Sequence, residues 1–73
     1  MAQIPFKAAR VAANMTQEDL ANAMSVSRQT VNDWETGKRD IRPAYLVMFC
    51  QITGFSVDDI ILPKKSTNSK QEA

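Results

Sequence analysis

The stretch from Thr16 to Gly37, TQEDLANAMSVSRQTVNDWETG, constrains the fold more than any other part of the chain. It starts a helix, stops it, and starts another after about three residues. Thr16 can cap the backbone N–H of Asp19, and Glu18 and Asp19 favour the positive end of a helix over Gln17–Met24. Ser27 is a cap for a further helix over Arg28–Glu35, and Gly37 can take the left-handed conformation that ends it. Leu20, Ala21 and Met24 form the apolar face of the first of these helices, and Val31 and Trp34 that of the second. Arg28, Gln29, Asn32 and Asp33 fall on the opposite arc, which predicts that all four are exposed. Two short helices joined by so brief a turn have helix-turn-helix geometry.

The flanks read as helices too. One is expected from about Pro5 to Asn14, with Pro5 at the first helical position and Phe6, Ala9, Arg10 and Ala13 on one face. Pro43 opens PAYLVMFCQIT, which Gly54 closes, and Ser56 caps a short fifth helix, VDDIIL, stopped by Pro63. The expectation is an all-α, compact five-helix domain over residues 1–63 with a polar, disordered tail over 64–73. The fourth helix is apolar nearly all round. Such a helix is either the centre of the domain or carries a surplus that marks a partner surface. Tyr45, Val47 and Met48, with Ile60, Ile61 and Leu62, are the candidates for such an interface.

Composition narrows the chemistry. Seventy-three residues make one small domain with no room for a second of ordinary size. One cysteine and no histidine exclude an internal disulfide framework and leave a structural zinc without its ligands. Cys50 has no histidine to activate it and reads as a small buried hydrophobe. An enzyme is therefore not expected, nor a cofactor or small-molecule ligand. The absence of a signal-like region or long apolar run points to a cytoplasmic protein with no membrane contact. The formal charge is only +1, so non-specific attraction to nucleic acid is expected to be modest.

From Phe6 to Leu62 the chain resembles the Xre/Cro/CI family of phage and bacterial regulators. The residues that carry the resemblance are TQEDLANAMSVSRQTVNDWETGKRDIRP and GFSVDDIIL. It implies a domain whose third helix enters the major groove of an operator, usually as a dimer. Carried over by position, it assigns Arg28, Gln29, Asn32 and Asp33 to base edges. Gln17, Asn22 and Ser27 go to backbone phosphates, with Lys38, Arg39 and Arg42 adding charge on the flank. Arg10 and Glu35 stand where the family joins its first and third helices by an ion pair. The base chemistry also fits without the family: Arg matches guanine O6 and N7, and Gln or Asn matches adenine N6 and N7. Asp33 either accepts from cytosine N4 or penalises DNA binding.

Two functions follow. One is a sequence-specific, double-stranded DNA-binding regulator of the Cro or repressor type, acting as a homodimer by occupying its operator. The other is an antirepressor, modulator of repression or antitoxin that acts in a complex with a repressor or toxin protein. The polar arc and the GKR flank favour the first, and the near-neutral charge, Asp33 and the apolar surplus favour the second.

Overall fold

The computed structural model describes residues 3–63 and contains four α-helices and one pair of very short strands. In chain order these are β1 (Ile4–Pro5), α1 (Phe6–Ala12), α2 (Gln17–Met24), α3 (Arg28–Thr36), α4 (Pro43–Thr53), a 3-10 turn (Val57–Asp59) and β2 (Ile60–Ile61). The tail expected over 64–73 lies outside the described residues.

Local chemistry sets the helix ends. At the start of α2, Thr16 Oγ1 accepts from the Asp19 N–H, and the Asp19 carboxylate accepts from the Thr16 N–H, both at 3.0 Å. This reciprocal pair satisfies two N–H groups that the helix itself leaves unbonded. The bond from the Thr16 backbone, and then that with its side chain, hold the Asp19 carboxyl below the usual aspartate range. The stability that the cap contributes is therefore fully present above that range and is lost as pH falls below it, through the lowered value. Ser27 Oγ accepts from the Thr30 N–H to start α3, and Gly37, at φ 85°, ends it in the left-handed region where a Cβ is unwelcome.

The turn between α2 and α3 reverses at Ser25, whose φ of 60° and ψ of 41° are also left-handed. The Val26 N–H then donates to the Ala21 carbonyl at 3.0 Å and seals the crossing. Left-handed backbone costs an L-residue about 1–2 kcal/mol, part of which glycine gives back in unfolded-state entropy. Ser25→Gly should therefore raise stability by roughly 0.5–1 kcal/mol, a rise of a few degrees in Tm. A thermal melt showing a lower midpoint would contradict this account of the turn.

All four helices contribute to one core: Phe6 and Ala9, then Leu20, Ala21 and Met24, then Val31 and Trp34, then Phe49 and Cys50. The Phe6 ring stacks on Phe49 with centroids 4.0 Å apart and meets Trp34 edge-on at 6.2 Å. Burial pushes the Cys50 thiol up, with Asp59 adding to the effect, so this sulfur is held in its neutral form.

The five-helix expectation is corrected at both ends. The fifth helix expected over VDDIIL is only the 3-10 turn Val57–Asp59, after which the backbone extends. Ile60 and Ile61 are β-branched and favour an extended chain, and Pro63 blocks any long helix there. What completes the choice is tertiary. β2 pairs in parallel with β1, with Ile4 opposite Ile60 and Pro5 opposite Ile61. Pro5 is correspondingly the extended cap before α1 (φ −62°, ψ 150°) and not its first helical residue.

Candidate nucleic-acid interface

The start of α3 presents polar side chains to the surface. Its cap Ser27 and its first two residues, Arg28 and Gln29, are exposed, and Asn32, one turn on, is half-buried. Open grooves lie on either side. One, of about 630 Å³, runs between α1 and the start of α2 and is lined by Lys7, Thr16, Gln17, Glu18 and Arg28. The other, of about 570 Å³, is lined by Ser27, Thr30, Trp34, Arg39, Arg42 and Tyr45, among others. Each groove thus contains two exposed cations, Lys7 with Arg28 and Arg39 with Arg42. Glu18 offsets the first pair in part, and Asp40, with the ion pair of Arg39 to Asp33, offsets the second.

Lys7 was not singled out in the sequence. It lies on α1, outside the helix-turn-helix stretch, and lines the groove with Thr16, Gln17 and Arg28. Its spacing of three from Arg10 was the one available signal, since it placed both residues on the same side of α1.

Beneath this surface lies a buried polar network. Arg10 Nε donates to Glu35 Oε2 and Nη2 donates to Oε1, a two-pronged pair whose side chains are 8% and 3% exposed. Arg10 Nη1 donates to the Met15 carbonyl at 2.7 Å. Gln17 joins the network by donating from Nε2 to Glu35 Oε1 (3.0 Å) and to Asn32 Oδ1 (3.1 Å). Both amide protons of Gln17 are therefore spent inward, which corrects its assignment to a phosphate through that amide. What Gln17 has left is its backbone N–H in the first turn of α2, where helix amides lack intrahelical partners. The same bond orients Asn32: its oxygen is turned toward Gln17, and its NH₂ is left to donate.

Asp33 requires a second correction. Spacing predicts that it lies on the exposed arc, and the family resemblance assigns it to base edges. It is instead buried, only 6% exposed. Gln29 Nε2 donates to Asp33 Oδ1 at 3.0 Å, and Arg39 Nη2 lies 3.6 Å from Oδ2. The cause is the connector after Gly37, which doubles back so that the Arg39 N–H donates to the Asp33 carbonyl at 3.2 Å. Helical periodicity says nothing about a loop that folds over the outer face.

The other assigned positions divide by exposure. Asn22, Lys38, Arg39 and Arg42 are exposed. In the expected protein interface, Val47, Met48, Ile61 and Leu62 are exposed, by 36–46%. Tyr45 and Ile60 pack against the core, and the Tyr45 ring lies 5.4 Å from that of Trp34. Those two belong to the edge of the core more than to an outward patch. Among the described residues, no helix is long and apolar enough to cross a membrane.

A family model described as helix-turn-helix matches residues 6–60. The chain is also 39% identical, over 49 residues, to an uncharacterised helix-turn-helix-type transcriptional regulator of Methanocaldococcus jannaschii. That match covers 67% of this chain and 74% of the relative.

Proposed function

This chain belongs to the helix-turn-helix family, and on that footing we propose that it is a transcriptional regulator that binds a specific double-stranded DNA operator. The observation that carries the reading is the start of α3, where Arg28 and Gln29 are exposed and Asn32 is half-buried, between two grooves that each contain a pair of cations. An α-helix fits the B-DNA major groove, and these three side chains supply the donors and acceptors that distinguish base pairs there. Arg28 suits guanine O6 and N7, and Gln29 suits adenine.

Around them, Lys38, Arg39 and Arg42 meet phosphates on one flank. On the other, Lys7 and backbone N–H groups at the start of α2 do so, with Asn22 as a further contact, while Ser27 lies on the side of Arg39 and Arg42. Helix N-termini suit anions because their unbonded N–H groups point outward. Regulation is by occupancy of the operator, in the manner of a Cro-type repressor, and requires no catalytic step.

The exposed Val47, Met48, Ile61 and Leu62 favour a second reading in which a protein partner also takes part. That partner is a second copy of the chain, giving a homodimer on a two-fold operator, or a separate repressor protein that the chain modulates.

The division of labour is testable. Lys38→Ala should weaken binding to a selected duplex and to a random duplex by the same factor, and should reduce the slope of log K against log salt by about 1. Equilibrium binding at several salt concentrations measures both. A Lys38→Ala effect confined to one base position would show that Lys38 reads sequence and is not a phosphate contact.

A further inference from the structure

A buried carboxylate is costly unless it is paired. Arg10 accounts for Glu35. The partners of Asp33 are different in kind, because both belong to the proposed DNA surface. Gln29 donates to Oδ1 and Arg39 faces Oδ2. Asp33 itself is too buried to reach a base. Resting on the reading of α3 as the base-reading helix, we propose that Asp33 is a positioning residue that holds the Gln29 amide so that it reads adenine and rejects guanine.

The reasoning is one of donor and acceptor count. An unrestrained glutamine can turn its amide over and offer either its oxygen or its NH₂ to a given base atom. Asp33 takes one of the two Nε2 protons and so fixes which end of the amide is which. One N–H and Oε1 then remain side by side at the exposed end. Adenine offers a matching pair, N7 to accept and N6–H₂ to donate. Guanine offers two acceptors, N7 and O6, so Oε1 would be pressed against O6 with no proton between them. Turning the amide over to suit guanine would break the bond to Asp33 and aim Oε1 at a buried carboxylate.

The test starts from a pool of duplexes with a randomised core. Binding is then measured for the selected duplex and its single-base variants. With wild type, the position whose preference disappears in Gln29→Ala should favour adenine over guanine by about tenfold or more. Asp33→Asn should keep that preference, because Asn Oδ1 still accepts from Gln29. Asp33→Ala should reduce it to about twofold at that position alone, within the range expected for one good contact. Adding Asp33→Ala to Gln29→Ala should change base preference no further. Asp33→Leu fills the space without an acceptor and takes the place of the alanine variant if that fails to fold.

The proposal is overturned if the acceptor-free variants keep the adenine preference. It also falls if they weaken every sequence equally, as loss of a merely structural contact would, or if wild type favours another base at the Gln29 position. A wild type that selects no sequence at all refutes the DNA reading itself, and is distinguished from these outcomes by the first step.

Discussion

Replacing Glu35 with alanine should lower the stability of the fold by about 3–5 kcal/mol, the usual cost of removing one partner from a buried ion pair. The Arg10 side chain is only 8% exposed, so its charge would be stranded where water cannot replace the lost carboxylate. Gln17 would lose one of its two acceptors at the same time. Small domains have little stability in reserve, so most of the margin would go. Changing both partners, as in Arg10→Met with Glu35→Leu, should cost much less, because no charge is then buried alone. Denaturant unfolding followed by circular dichroism separates the two cases. The affinity of the folded Glu35→Ala fraction for DNA should change less than its stability does. An unchanged Tm in Glu35→Ala would refute the view that this pair holds α1 to α3.

The second large effect is the converse, a loss of function with the fold intact. Arg28 is exposed, so replacing it with alanine should move stability by no more than about 0.5 kcal/mol. Gln29→Ala, made in the same chain, also takes a hydrogen bond from the buried Asp33 carboxylate and should cost about 1–3 kcal/mol, so binding is compared per folded molecule. Each is assigned a base contact worth roughly 1–3 kcal/mol of discrimination, or about 2–6 kcal/mol together where they act independently. The double variant should therefore bind its selected duplex hardly better than a scrambled one, while keeping the residual affinity that phosphate contacts supply. Binding of both duplexes, with a melt of the same preparation, checks this. A variant that still prefers the selected duplex by the wild-type factor would show that sequence is read elsewhere.

The helices were legible because their signals are local. Thr16, Ser27, Gly37, Pro43 and Gly54 each act on the backbone within a turn of themselves, and α2 and α4 begin, and α4 ends, where these residues predict. The core was legible for a related reason: Leu20, Ala21, Met24, Val31 and Trp34 recur at helical spacing, and all five are buried.

What sequence patterning missed depends on segments meeting from a distance. Ile60 and Ile61 extend because Ile4 and Pro5, at the other end of the domain, are there to pair with. Asp33 is covered because the connector returns over it, and Gln17 points inward because Asn32 and Glu35 stand opposite. At the candidate site, residue identities therefore named the groups but not which of them face outward.

The central claim is that the outer face of α3 reads DNA sequence, and equilibrium binding across a salt series tests it most directly. The protein should bind a duplex selected from a randomised pool at least about 10³-fold more tightly than a scrambled duplex of equal length, with both affinities falling steeply as salt rises from about 50 to 200 mM. Equal, weak and salt-insensitive binding of the two duplexes would contradict it.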